Sequence, residues 1–195
     1  MCAVKRARLT AALLLLPLAA CVVPSPVALP SSPRSADPAV SGAPPTAPVT
    51  YRPALCDAAR PASLDPFPYN RDAARRDGML QFYPDPRPDY SVGGTASFEN
   101  LDAGTLAILI EDRYIDPDGA QNLSPEAWNI FQFLCGHPDV RAAGYAVAVD
   151  REDYRVSIEA VYAKEITPEL RTDAESFCAK ADEVEVDEHL ECFWD

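Results

Sequence analysis

Residues 104–195 predict an α+β domain in which two helices cover one face of an antiparallel sheet, and three observations predict it. Two helix starts share one chemistry, Ser124-Pro125-Glu126 and Thr167-Pro168-Glu169. Two stretches, 144–149 and 154–162, alternate apolar and polar residues around the polar Asp150-Arg151-Glu152-Asp153. An apolar run at 105–111 lies between Gly104 and an Asp116-Pro117-Asp118-Gly119 turn.

Each element follows in order. Residues 105–111 (Thr-Leu-Ala-Ile-Leu-Ile-Glu) are expected to form a buried strand, because the run is short, apolar and bounded by turn residues. The next segment is expected to be a helix, with Ser124 as the cap, Pro125 in the first helical position and Glu126 in the first turn. Its body should present Trp128, Phe131, Leu134 and Cys135 on one face and end at Gly136. The two alternating stretches read as a hairpin. On the second of them Tyr154, Val156, Ile158, Ala160 and Tyr162 should face one side, with Arg155, Ser157 and Glu159 on the other. Thr167-Pro168-Glu169 opens a second helix with a buried stripe of Leu170, Ala174, Phe177, Cys178 and Ala181. One more strand is expected within 183–194.

The resulting order is strand, helix, strand, strand, helix, strand. That is the βαββαβ order of the ferredoxin-like split βαβ two-layer sandwich, with another two-layer α+β arrangement of the same elements as the alternative. Residues 51–103 carry seven prolines (53, 61, 66, 68, 84, 86 and 88) and read as an irregular N-terminal arm around this core. Residues 79–83 and 95–99 are its short strand candidates. The arm's aromatic residues Tyr69, Phe82, Tyr83 and Tyr90 are expected to pin it to the core. No internal repeat is visible.

Upstream of this domain the sequence changes character twice. Residues 1–20 carry Lys5, Arg6 and Arg8 without an acid, then an apolar run too short to span a bilayer. The run ends in Leu18-Ala19-Ala20-Cys21, which resembles the lipobox of bacterial lipoproteins. That resemblance is confined to residues 1–21 and implies a cleaved signal peptide and a lipid-modified Cys21. It further implies export and anchoring to a cell membrane or outer membrane; Val22, where Asp would resemble an inner-membrane retention signal, leaves outer-membrane sorting open. Two or three acyl chains would anchor stably where one binds only marginally. Residues 21–50 hold eight prolines (24, 26, 30, 33, 38, 44, 45 and 48) and no aromatic residue. Such composition cannot offset the entropy of ordering, so a disordered tether is expected, with a reach of about 90 Å when extended.

Composition excludes some partners. The chain has 17 basic and 30 acidic side chains. Loss of Lys5, Arg6 and Arg8 with the leader brings the mature part to about −16, which repels nucleic acid and anionic lipid headgroups. The expected partners are therefore the bilayer, through the acyl anchor, and an envelope protein or cell-wall component. Four cysteines remain after Cys2 and Cys21 are set aside: Cys56, Cys135, Cys178 and Cys192. An even number in an exported chain reads as two disulfides with three possible connectivities. The preferred one joins Cys178 to Cys192 and Cys56 to Cys135; the first closes a short loop worth roughly 3 kcal/mol on a chain-entropy account.

Catalytic and metal signatures are weak throughout. There is no C-x-x-C pair, no G-x-S-x-G, and Gly93-Gly94 is not followed by a helix signal. Aligning residues 114–125 as an EF-hand on Gly119 puts Tyr114 and Pro125 at its first and last positions, both wrong for calcium. His137, in Cys135-Gly136-His137-Pro138, reads as a loop residue at a helix C-terminus, and His189 as part of a solvated acidic run. No cofactor, metal ligand or catalytic residue is assigned. The function expected is a non-enzymatic binding or adaptor domain on a lipid anchor. A small-ligand or cation-binding lipoprotein and an unrecognised hydrolase are the alternatives.

Overall fold

The computed structural model describes residues 56–83, 87–91 and 93–195. The expected signal peptide (1–20), lipidated Cys21 and tether (21–50) lie outside the described residues. Among the described residues no helix is long and apolar enough to cross a membrane.

The domain is α+β. Its elements are α1 (Ala73–Asp77), β1 (Gln81–Phe82), β2 (Thr95–Leu101), α2 (Ala103–Glu111), α3 (Ala127–Gly136), β3 (Arg141–Val147), β4 (Val156–Ala163), α4 (Pro168–Phe177), β5 (Glu183–Val186) and β6 (Leu190–Phe193). The six strands form one sheet in the order β1-β2-β3-β4-β6-β5, and every neighbouring pair is antiparallel. A split βαβ arrangement requires the strands flanking the first helical connection to be separated by a third. Here β2 and β3 are direct neighbours, paired from Thr95↔Val147 to Leu101↔Ala142. The order therefore differs from the ferredoxin-like one, although the sheet-and-helix composition is as expected.

The run at 105–111 is a helix rather than a strand. Asp102 caps it, its side chain accepting the Thr105 N–H at 2.7 Å. Leu106, Leu109 and Ile110 fall on one face and are buried. A short apolar run has no periodicity that separates a buried strand from a buried helix, and the Asx cap decides it. The strand that would have been 105–111 is instead β2, so the arm ends inside the sheet: residues 95–101 sit between β1 and β3.

The second helix, α3, begins later than its signal suggested. Ser124 does not cap it: its hydroxyl accepts the Gln121 N–H and donates to the Pro125 carbonyl, closing a turn before the helix, and Glu126 is the N-cap residue but makes no side-chain capping bond. Phe131 and Leu134 are buried as expected, but Ile130 and Phe133 join them, while Trp128 and Cys135 are only partly buried. Helix α4 follows its signal closely, with Thr167 accepting the Leu170 N–H at 3.2 Å and Pro168 in the first turn. Leu170, Ala174 and Cys178 are buried, with Phe177 and Ala181 packed against them.

The hairpin β3–β4 forms where expected, yet its alternation breaks. The pairing steps from Ala143↔Ala160 to Gly144↔Ile158, leaving Glu159 as an extra residue in β4. Its carbonyl accepts the Trp194 N–H at 2.8 Å. A one-residue bulge reverses which face later residues meet. Tyr154, Val156 and Ile158 are buried, but beyond the bulge Val161 and Ala163 are the buried pair, and Ala160 and Tyr162 turn to the other face. Gly144 stands opposite this bulge, where a Cβ would lie 2.0 Å from the Ser157 carbonyl oxygen. The C-terminal segment holds two strands, β5 and β6, as a hairpin rather than one.

One apolar core joins the inward sheet residues, among them Phe98, Ala142, Ile158, Val161 and Leu190, to Leu106 and Leu109 of α2, Ile130 and Leu134 of α3, and Leu170 of α4. Cys56 is bonded to Cys135 and Cys178 to Cys192. The second of these ties the end of α4 to β6, inside the core.

The arm is held by guanidinium groups. Arg76 is fully buried, bonded to the Val147 carbonyl at 3.0 Å, to Asp77 at 2.7 Å and to the Tyr90 hydroxyl, and it lies over the Tyr90 and Tyr154 rings. Burial raises the Tyr90 phenol well above its ordinary range. Arg71 bonds the Val149 carbonyl and lies over the Tyr154 ring, and Arg60 pairs with Asp118 and Glu126. Of the aromatic residues expected to pin the arm, Tyr69 packs edge-on against Tyr154 and Phe82 against Tyr90, whereas Tyr83 is 67% exposed.

Candidate functional site

Among the described residues, two concave regions bear on function. The larger is a groove of about 830 Å³ between the C-terminus of α3, the start of β3, the end of β4 and the first two turns of α4. Its floor is apolar and already packed: Val140, Ala163 and Leu170 are buried. Its rim carries charges of both signs, Arg141 and Lys164 against Asp139, Glu165, Glu169 and Asp173.

The groove's polar groups are held in place by backbone geometry. The Arg141 guanidinium donates to the Pro138 and Val140 carbonyls at 2.6 and 2.8 Å, stiffening the α3–β3 turn. Asn100, at φ 59° in a second bulge, donates its N–H to the Tyr162 hydroxyl at 2.8 Å, which in turn donates to the Asn100 Oδ1 at 3.0 Å. Asn tolerates this left-handed conformation better than most residues. Burial raises the Tyr162 phenol above its usual range. A smaller depression beside His189 and Glu191 shares Tyr162, Ala163 and Lys164 with the groove, so the two run together past the end of β4.

His137 sits in the groove as the C-cap residue of α3, its N–H bonded to the Phe133 carbonyl. Its ring packs 4.8 Å from Phe133, which stacks 4.0 Å from Phe177, and its Nε2 lies 3.2 Å from Asp173 Oδ2. The pair has the base-and-carboxylate half of a nucleophilic triad. The hydroxyls lining the groove are those of Tyr162 and Thr167, and both are engaged, the first with Asn100 and the second as the α4 cap. His189 lies elsewhere, with Nδ1 3.4 Å from Glu185 Oε1. Among the described residues no three His, Cys, Asp or Glu side chains converge as a metal site.

The second region is a cavity of about 140 Å³ under the 116–125 loop, against β4. Strand β6 pairs with β4 only along Ala160–Ala163, so residues 156–158 have β3 on one edge and the cavity on the other. Tyr69, Asp116, Gln121, Arg155 and Ser157 contribute polar groups. Burial raises the Asp116 carboxyl above the ordinary carboxylate range, and Tyr69 is raised by its own burial and by the nearby Asp116 charge.

Of the residues singled out from sequence, His137 lines the groove, while Cys135 is spent in the disulfide with Cys56. The groove's Arg141 and Lys164 and the cavity's Tyr69, Asp116 and Arg155 carried no sequence motif. Asp116 read as turn chemistry inside a stretch that fails as a calcium loop, Tyr69 as an aromatic pinning the arm, and Arg155 only as the polar phase of a strand. No family model, curated protein or solved structure matches the chain.

Proposed function

We propose that this chain is an exported envelope lipoprotein, anchored through Cys21, whose folded domain is a non-enzymatic adaptor that holds an envelope protein or cell-wall component in the groove beside α4. The observation that carries the reading is the groove itself. An open trough with a rim of both charge signs suits an extended segment of a partner, which can satisfy those charges along its length. The disulfides suit an oxidising compartment, and the lipobox-like leader supplies the route there. A domain with so many carboxylates does not approach anionic headgroups by itself, so the acyl chains carry the membrane contact.

The test is crosslinking in cells followed by affinity recovery and mass spectrometry, comparing the wild type with the double variant Asp139→Arg, Lys164→Glu. Both positions are exposed, so reversing their charges leaves the fold intact. The expected outcome is one reproducible envelope partner recovered with the wild type and lost with the variant. Equal recovery by both proteins would remove the groove from the reading, and recovery of lipid alone would remove the adaptor role.

A further inference from the structure

We propose that the cavity under the 116–125 loop binds a small free primary amine, with the ammonium on Asp116. The site is distinct from the groove, and the proposal stands whether or not the groove carries a partner. Four observations support it.

The first is size. About 140 Å³ is room for several waters or for one molecule of a few heavy atoms, and it is well below the volume of a drug-sized site. The second is the state of Asp116. Its Oδ1 accepts the Asp118 N–H at 3.0 Å, and no other donor among the described residues reaches the carboxylate. A partly buried carboxylate with one acceptor filled favours a ligand that brings several donors and a positive charge, which is what an ammonium brings. The third is the surrounding field. Asp118 and Glu126 add negative potential at Asp116, and Arg60, paired with both of these acids, offsets part of it. On the far wall Arg155 is engaged with Ser157, Tyr145 and Asp153, so its charge is already shared.

The fourth is the remaining hydrogen-bonding capacity. The Tyr69 hydroxyl and the Gln121 side-chain amide have no hydrogen-bond partner among the described residues, and the edge of residues 156–158 that β6 does not pair borders the same space. A hydroxyl or amide beside the ammonium would meet these groups, so an amino alcohol or amino-acid amide fits the chemistry better than a bare cation. The ordering of the roof is already supplied by Arg60, which clamps Asp118 and Glu126 across the loop, so binding does not have to fold it.

The experiment titrates ethanolamine, acetate and the tripeptide Gly-Gly-Gly into the full chain and reads calorimetry and thermal stability. Ethanolamine should bind saturably with a Kd of about 1 mM or tighter, and stabilise the fold accordingly. Acetate should not bind, and the tripeptide should bind at least about tenfold more weakly, because it exceeds the space. Asp116→Asn keeps the acceptor for the Asp118 N–H and should weaken ethanolamine about tenfold or more. Where that variant fails to fold, the wild-type pH profile serves instead. Affinity should fall as acid protonates Asp116, whose raised value makes it titrate ahead of Asp118, which Ser63 and Arg60 hold low. Saturable acetate binding, tripeptide binding as tight as ethanolamine, unchanged affinity in Asp116→Asn, a flat pH profile, or no binding of ethanolamine would each overturn the assignment.

Discussion

The arm that enters the domain and the hairpins that leave it are attached in different ways. Residues 60–83 are fastened by four guanidinium groups that reach backbone carbonyls, acids and aromatic faces far away in sequence: Arg60, Arg71, Arg75 and Arg76. The C-terminal part is fastened by ladders and caps between near neighbours, β3 with β4, β5 with β6, and Thr167 over α4. Local pairing tolerates the loss of any one contact because its neighbours persist. A buried guanidinium does not, since removing it strands every group it satisfied.

The largest expected effect tests the outermost attachment of each region. Replacing Cys56 and Cys135 with Ala opens a loop of sequence separation 79, and on the chain-entropy account should cost about 4.5 kcal/mol; the same change at Cys178 and Cys192, separation 14, should cost about 3. Urea denaturation of the two double variants measures both, and a reversed order would mean that core packing at Cys178 and Cys192 outweighs loop entropy. Arg76→Ala should follow at about 4 kcal/mol, because it leaves Asp77 and the Val147 carbonyl without their buried partner. A loss under about 1 kcal/mol would make the arm's attachment as redundant as the hairpins'.

Gly144→Ala probes the ladder side at its least forgiving point. A Cβ 2.0 Å from the Ser157 carbonyl forces β3 and β4 apart, and the expected cost is about 3 kcal/mol by calorimetric melting. Thr167→Ala, which removes one cap from a helix that keeps its packing, should cost only about 1 kcal/mol. The smallest effect belongs to the turn of the hairpin. Arg151 holds the Asp153 carboxylate down to about 2, so the folded state retains its charge to lower pH than the unfolded chain does. The contribution is present above the unfolded carboxylate value and is lost as pH falls towards about 2. Carboxyl NMR titration should find Asp153 among the last acids to protonate, and Arg151→Ala should restore it to the ordinary range.

The same division explains what could be read from the residues alone. Thr167-Pro168-Glu169 announced α4 because cap, proline and first-turn acid are all local chemistry. The hairpin was legible from its alternation up to Ile158, and then Glu159 shifted the phase in a way that nothing before it in sequence announces. The run at 105–111 reads as a strand because Leu and Ile on a three-and-four spacing coincide with a plain apolar stretch over seven residues. Asp102, three positions ahead of Thr105, was the available clue. Neither the groove nor the cavity could be seen. Each is assembled from side chains that meet only after the sheet has formed, Tyr69 with Arg155 in one case and Asn100 with Tyr162 in the other.

The bond between Cys56 and Cys135 also sets a load path. A pull on the chain upstream of Cys56 enters the fold directly at the end of α3, bypassing the chain between the two cysteines, whose sequence separation is 79. The arm, α1, β1, β2 and α2 are thereby spared tension and cannot be peeled away one contact at a time. Force instead reaches the turn into β3, a strand paired along its length on both sides and so loaded in shear. A domain exposed to traction from its N-terminal side would keep its shape until that central strand failed, and would fail all at once.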